Sequence, residues 1–430
     1  MGSVDWESIS PNIHGDWISA RSEVFAGFHA IGDKKNPSNS VFARYSSGLK
    51  TGRDAWCYNF SRVNLAAETE SMIDYYNEHV RRATTRDGSR PQAAAELGTT
   101  QFSWNRGSLQ DFAKRKVYSY ADSRIYVATY RPFIKQWCYF DRQVNDMVYR
   151  MPSMFPTAIH TNLGFYVVGA GSDKPFSAIM TDTVPDLAFW GSSNGQYFPR
   201  WTYGSDSDLA IADNDAELVD GFTRVDNITD SALRSFNEQV GEPVTKDDIF
   251  FYVYALLHSP AYRETFTADL KKMLPRVPLP TSKPQFRVLV DAGRQLAELH
   301  VGYESVEPYP LQELETGTLL DATDDRWRLT KMRWKSKTDH SSIVYNTHLT
   351  LAGIPEKAHE YRLGSRTALE WLIDRYQVST DKKSGIVNNP NDWGAEHDDP
   401  RYVVDLIKRI TTVSVKTVEI VENLPDLQLG

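Results

Sequence analysis

From Thr229 to Glu304 the apolar residues fall at helical spacing, whereas on both sides they come as short runs rich in Val, Ile, Tyr and Phe, cut by Pro and Gly. Such a change of period fits an α+β chain, with mixed or antiparallel sheets around a central helical cluster. The cues inside the cluster are specific. Thr229 precedes a stripe of Leu233, Phe236 and Val240, and Gly241 stands where a helix C-cap belongs. Thr245 and Asp248 have capping-box spacing ahead of the apolar run IFFYVYALL. Pro260 opens a helix expected to reach Lys272, and Phe286, Leu289, Val290, Gly293, Leu296 and His300 mark another stripe.

Outside the cluster, SRIYVATY and QWCYFD read as two strands about an Arg131-Pro132-Phe133 turn, and GFYVVGA and FSAIMT as further strands. A helix is expected from about Glu68 to Arg82, with Met72, Ile73, Tyr76 and Val80 on one face. Beyond Trp327, MRWKSK and SIVYNTHLTL alternate like strands. SRTALEWLIDRY reads as a helix capped by Ser365, and Pro400 opens a last helix to about Val421. The expected organisation is a lead-in over 1–45, a β-rich part over 46–228, the helical cluster over 229–305 and an α/β part over 306–430.

Charge is segregated. The whole chain of 430 residues carries a net −8, which on average argues against a nucleic-acid ligand. Residues 161–245, however, hold 4 Lys/Arg against 13 Asp/Glu, and residues 1–160 hold 20 against 16. The deficit therefore belongs to one acidic block around SDSDLAIADNDAELVD, expected to be a solvated loop. Two cysteines are too few for a disulfide framework, which favours a reducing, cytoplasmic setting. No run of eighteen apolar residues occurs, and MGSVDWESISPN has neither the basic nor the apolar region of a secretory leader.

Catalytic signatures are scarce. The sequence has no G-x-x-x-x-G-K-[ST], HExxH, paired CxxC or G-x-S-x-G. VVGAGS at 167–172 lacks the third glycine of a dinucleotide loop and is better taken as a tight turn after a strand. Asp186, Asp269 and Lys271 contain the groups of a magnesium-dependent nuclease, although Asp269 and Lys271 fit a solvated helix face more simply. NNPNDW (388–393) resembles an amino-methyltransferase element, yet has Asn where the second Pro is required and fits a turn.

Two basic sets stand out instead. Lys331, Arg333, Lys335 and Lys337 alternate with Met332, Trp334 and Ser336, so a strand would place all four on one face, suited to a phosphate backbone. The competing reading is an edge strand blunted by lysines. A second set, Lys114, Arg115, Lys116, Arg124, Arg131, Lys135 and Arg142, is interleaved with tyrosines and Trp137. Its competing reading is the polar outer face of a layered sheet.

The stretches TGRDAWCYNFS (51–61), YRPFIKQWCYFDR (130–142), FYVYALLHSPAYRETFTADLKKMLPRVP (251–278), AGRQLAELHVGYE (292–304), SIVYNTHLTLAGIP (342–355) and SRTALEWLIDRYQVSTDKKSGIVNNPNDW (365–393) resemble, in order, the C-terminal specificity region of Type ISP restriction-modification enzymes. That family joins a nuclease, a helicase-like ATPase, an adenine amino-methyltransferase and a target-recognition domain in one polypeptide. The resemblance implies a bacterial, nucleoid-associated recognition domain without catalytic residues or a metal of its own. Its partners would be double-stranded DNA and the other modules; S-adenosylmethionine, ATP and magnesium would belong to those modules, and residues 1–45 to a linker from the methyltransferase. It also implies that the Lys331, Arg333, Lys335 and Lys337 ribbon or the Arg131, Lys135 and Arg142 cluster lies at DNA. Asn346 and Gln136 are candidates for adenine, since a side-chain amide can bond that base bidentately. The acidic block would face away from DNA or sit near a different protein surface. Two other readings are a self-contained nuclease using Asp186, Asp269 and Lys271, and a scaffold that docks neighbouring modules through TGRDAW and the 249–304 helices.

Overall fold

The helical stripe folds as its caps and periodicity dictate, into Asp230–Val240, Lys246–Leu256, Pro260–Thr265, Thr267–Lys272 and Lys283–Val301. The structure is a computed structural model that describes residues 10–11, 15–17, 21–85, 98, 100–192, 194–204, 217–315 and 325–429. The Thr229 hydroxyl accepts from the Ala232 amide, and Gly241 ends that helix in the left-handed region at φ 76°. Thr245 and Asp248 make both bonds of the capping box. The helix expected from Pro260 to Lys272 is broken at Phe266, which buries its ring against Phe25 at 4.9 Å. A Cβ at Gly293 would stand 2.0 Å from the Phe251 carbonyl oxygen, so glycine is what lets Lys283–Val301 lie this close to Lys246–Leu256.

The flanking runs are strands, as expected. Ile125–Arg131 and Ile134–Tyr139 pair antiparallel about the Pro132-Phe133 turn. Tyr58–Asn59 adds antiparallel to one side and Val184–Pro185 adds parallel to the other, completing a mixed four-stranded central sheet. Gly164–Val168 lies between Ala178–Thr181 and Gly195–Pro199 in an antiparallel sheet. A second four-stranded sheet, wholly antiparallel, runs in the order Gln312–Glu315, Leu349–Ala352, Ser342–Val344, Arg333–Trp334.

The apolar cores run across the boundaries expected at 45, 228 and 305. One joins Tyr126, Phe140 and Tyr166 of the N-terminal half to Trp371, Ile407 and Ile410 near the C-terminus. Another joins Phe25, Ile31 and Phe42 of the lead-in to Phe165, Phe198 and the helical cluster. The lead-in is therefore part of the fold from Ser22 on, with His29–Ala30 paired to Arg276–Val277. A third core lies under the Arg62–Thr85 helix, where Met72, Ile73, Tyr76 and Val80 are all buried.

Several local expectations change. The helix Ala368–Arg375 is capped by Thr367 in a capping box with Glu370, not by Ser365. NNPNDW is more than a turn, because Asn389 caps the short helix Pro390–Glu396. The last helix is Tyr402–Glu422. Most of the acidic block, 205–216, lies outside the described residues. TGRDAW is half interior: Arg53 lies over the Phe102 ring at 4.5 Å, and Thr51, Arg53 and Trp56 are buried, while Gly52 and Asp54 are exposed.

A buried polar network ties the helical cluster to the last helix. His300 Nδ1 lies 2.6 Å from the Tyr254 hydroxyl, and its Nε2 lies 2.9 Å from Thr417 Oγ1 and 3.0 Å from the Tyr361 hydroxyl. His258 Nδ1 bonds the Tyr254 carbonyl at 2.8 Å. Burial pushes His300 down to about 3 and His258 well below the ordinary imidazole value, so both imidazoles are neutral.

Candidate nucleic-acid interface

The Lys331–Lys337 ribbon is a hairpin, and turn chemistry decides its length. Arg333 and Trp334 pair with Val344 and Ile343, after which the Lys335 amide donates to the Ser342 carbonyl at 3.0 Å. The chain then reverses on its own side chains. Ser336 Oγ accepts from the Thr338 and Asp339 amides, and Asp339 accepts from the amide and hydroxyl of Ser341. Those two Ser341 bonds, with Lys335 at 3.1 Å, hold the Asp339 carboxyl down at about 2.

The alternation survives over the part that is extended. Met332 is buried and Trp334 half-buried, its ring stacked on His340 at 4.7 Å, while Lys331, Arg333 and Lys335 are exposed. Lys337 is also exposed, but in the turn, so the expected single face of four is a face of three plus a tip. The only carboxylate paired with these four is Asp339; Lys331 and Lys337 have no ion-pair partner among the described residues. Arg328, just upstream, is exposed and has no close ion pair among the described residues, although it acts at longer range on Asp392. A row of cations with so little internal compensation presents its charge outward.

The other expected sites divide sharply. Arg131 was expected at the surface but is 5% exposed, with Nη1 2.7 Å from Asp186 Oδ1 and its guanidinium 3.8 Å from the Tyr130 ring centroid. Asp186 also accepts from the Tyr58 hydroxyl at 3.2 Å and the Ala188 amide at 2.9 Å. Burial pushes the Asp186 carboxyl up to about 6 against the pull of Arg131. Lys135 is half-buried, bonded to Glu304 at 2.6 Å. Gln136 is 3% exposed, and its carbonyl oxygen accepts from Asn388 at 3.2 Å.

Asn346 spends its whole side chain on the chain itself. Its Nδ2 donates to the carbonyls of Arg326 and Arg328, and its Oδ1 accepts from the amides of His348 and Leu349. Both donors and both lone pairs are used, which leaves nothing for an adenine edge. Arg131, Lys135, Gln136 and Asn346 are therefore structural residues in this chain. Their segments look basic or amide-rich in sequence, but the central sheet that carries three of them is covered on both faces.

Arg142 is exposed as expected. It borders a pocket of about 540 Å³ walled by Tyr118, Tyr126, Phe140 and Phe155, beside Lys116 and Arg124. Here compensation is stronger, because Lys116 pairs with Asp111 at 2.7 Å and Arg124 with Asp141 at 3.4 Å. The nuclease set does not assemble. Asp186 is consumed by Arg131, Asp269 accepts from the Ser22 amide at 3.1 Å, and Lys271 is exposed. Among the described residues no group of three or more His, Cys, Asp or Glu is placed to hold a metal ion.

One basic element escaped the sequence reading. Ser379–Thr380 and Val387–Asn388 form a two-stranded ribbon with Lys382 and Lys383 exposed at its tip. Its signal was present in TDKKSG, an Asp-to-Gly turn pattern between two short β-prone runs.

The family model for the Type ISP C-terminal specificity domain matches residues 40–406. Three solved structures are similar over 98% of this chain. The ATP-dependent Type ISP restriction-modification enzyme LlaBIII bound to DNA has a TM-score of 0.84 and 32% identity, with 25% of that chain covered. A nuclease-deletion mutant of the Type ISP restriction-modification enzyme LlaGI in complex with a DNA substrate mimic has 0.82 and 33%, with 36% covered. The DrdV–DNA complex has 0.79 and 30%, with 40% covered. The present chain thus spans from a quarter to two-fifths of the chains it matches. No curated protein sequence matches it.

Proposed function

Because the chain belongs to the Type ISP C-terminal specificity domain family, we propose that it holds duplex DNA and selects the sequence at which a larger restriction-modification enzyme acts. The observation that carries this reading on the chain itself is the basic hairpin. Lys331, Arg333, Lys335 and Lys337 are exposed, stand on a backbone fixed by pairing and turn bonds, and meet one carboxylate between them among the described residues. Such an arrangement neutralises phosphates by displacing counterions, and it sets the register in which nearby groups meet base edges. Arg142 and the cations around its pocket form a second, more compensated positive surface for the same ligand.

In this reading the chain supplies recognition and other modules supply the chemistry. Adenine amino-methylation with S-adenosylmethionine, and restriction driven by ATP and magnesium, would belong to methyltransferase, helicase-like and nuclease modules of a longer polypeptide. The setting is the bacterial cytoplasm, where chromosomal and invading phage DNA is encountered. No helix among the described residues is long and apolar enough to cross a membrane.

The test is binding of the chain to labelled duplex DNA under random-sequence competitor, followed across a salt series. Binding that weakens linearly in log–log form as salt rises is the expected result. Absence of any duplex binding at low salt would sink the reading, and magnesium-dependent cleavage by the purified chain would restore the nuclease alternative.

A further inference from the structure

The ribbon from Ser379 to Asn388 sets only Ile386 against a core, the one under the Arg62–Thr85 helix. Ser379, Thr380 and Val387 are exposed, as are Lys382 and Lys383, and a two-stranded ribbon of this length is marginal by itself. It is nevertheless anchored at its base from three directions. Asn388 accepts from the Phe60 amide at 2.9 Å and donates to Gln136 at 3.2 Å, and Asn59 donates to the Val387 carbonyl at 3.2 Å. On the other side, the Val378 amide donates to the Thr330 carbonyl at 2.9 Å, and Lys331 bridges antiparallel to Gln377. The second ribbon is thereby joined to the basic hairpin at the residue where its row of cations begins.

The two tips are built alike. In the first, the Asp339 carboxylate ties down the turn that carries Lys335 and Lys337. In the second, Asp381 accepts from the Lys383 amide at 3.1 Å and from the Ser384 amide and hydroxyl at 2.8 Å each. The Gly385 amide closes the loop onto the Asp381 carbonyl at 2.9 Å, with Gly385 at φ 76°. Asp381 is spent on its own backbone, and neither Lys382 nor Lys383 has an ion-pair partner among the described residues. The nearby Asp374 is already compensated by Arg366 at 2.5 Å and Arg375 at 2.7 Å. What remains is a turn offering two ammonium groups without a close ion pair among the described residues, Lys383 acting on Asp381 only at longer range, next to a row of further cations.

We infer that this ribbon is a second contact to the phosphodiester backbone of duplex DNA, with Lys382 and Lys383 each taking a phosphate beside those held by the basic hairpin. The inference rests on the DNA-recognition reading and adds a second prong to it. Compact ammonium groups on a fixed turn suit phosphates, whereas base reading is better served by planar amide or guanidinium groups. The contact therefore contributes affinity and register without selecting sequence.

The experiment measures duplex binding of the whole chain across a salt series for the parent sequence, K382A/K383A, K382R/K383R and K331A/R333A. Each variant's melting temperature is recorded as a check on folding. With about 0.9 of log–log salt slope per phosphate contact, K382A/K383A is expected to lower the slope by about 2 while preference for the cognate sequence is kept. K382R/K383R should retain the slope. An unchanged slope for K382A/K383A beside a reduced slope for K331A/R333A overturns the second prong and leaves the DNA reading standing. Unchanged slopes in both overturn the two together. Loss of sequence preference in K382A/K383A without a change in slope overturns the phosphate assignment.

Discussion

The basic hairpin and the central sheet carry the same residue types to opposite ends. Lys331, Arg333 and Lys335 lie on a strand whose other face is covered by Met332 and Trp334, so their charges stay in water. Arg131 and Lys135 lie on strands covered on both faces, and each has a carboxylate within 2.7 Å. A guanidinium in the first setting is available to a ligand; in the second it is part of the protein's own electrostatics, because an unpaired buried charge would be intolerable. Counting cations along a sequence cannot separate the two. Counting carboxylates within reach in space does.

The contrast can be broken from the interior first. Asp186→Ala leaves the Arg131 guanidinium buried and unpaired and should cost about 3–5 kcal/mol of folding stability, read by denaturant unfolding. Replacing both partners by apolar residues, Arg131→Met with Asp186→Leu, should cost much less. If the single change costs no more than the double, the pair is not the structural element described.

Acid sharpens the same difference. His258 and His300 are neutral when folded but titrate near 6.5 when unfolded, so the unfolded chain binds more protons below that value and stability falls with pH. Each contributes a loss of about 2 kcal/mol on going from neutral pH to pH 5. Asp186, raised to about 6, acts in the opposite sense between its unfolded value near 4 and 6, where its protonation favours the folded chain. Glu68, pushed up to about 7 by burial, acts in the same sense as Asp186, so the histidine share shows in Glu68→Gln, which should lose more stability between pH 7 and 5 than the parent chain. A Glu68→Gln profile that is flat from pH 7 to 5 would contradict this.

Asn346→Ala tests the assignment of that amide to the fold. Four hydrogen bonds within the turn are lost, for about 1–3 kcal/mol, and sequence preference among bound duplexes should persist. A fall in discrimination at adenine with little loss of stability would return Asn346 to the interface. The smallest stability effect is expected from Lys331→Ala with Arg333→Ala, within about 0.5 kcal/mol, although the same change should lower the salt slope of DNA binding by about 2. The interior is thus probed by pH and the surface by salt.

Local signals account for what was legible. The helical stripe, the Thr245–Asp248 box and the Gly241 cap are interactions between residues at most four apart, and all are found. The alternation through Met332 and Trp334 is equally local, and it holds until Ser336 and Asp339 close the turn. The Ser365 cap failed because Thr367, two residues later, has Glu370 at the spacing a capping box needs. The second ribbon was missed although its turn pattern was visible, since two lysines in a short loop carry no weight until the loop's neighbour is known.

The sequence by itself determined the secondary structure of the helical cluster apart from the break at Phe266, the two-sided character of the Lys331–Lys335 strand and the resemblance that the family match and the similar structures bear out. Those follow from spacing along one chain. Only the tertiary structure decided that Arg131, Lys135 and Gln136 are interior, that Asn346 is saturated, and that the ribbon bearing Lys382 and Lys383 stands beside the basic hairpin. Burial and charge pairing join residues far apart in sequence: Arg131 meets Asp186, Lys135 meets Glu304, and Gln136 meets Asn388. The free energy that makes a cation available or spends it resides in those long-range pairs, and no periodicity in the chain records them.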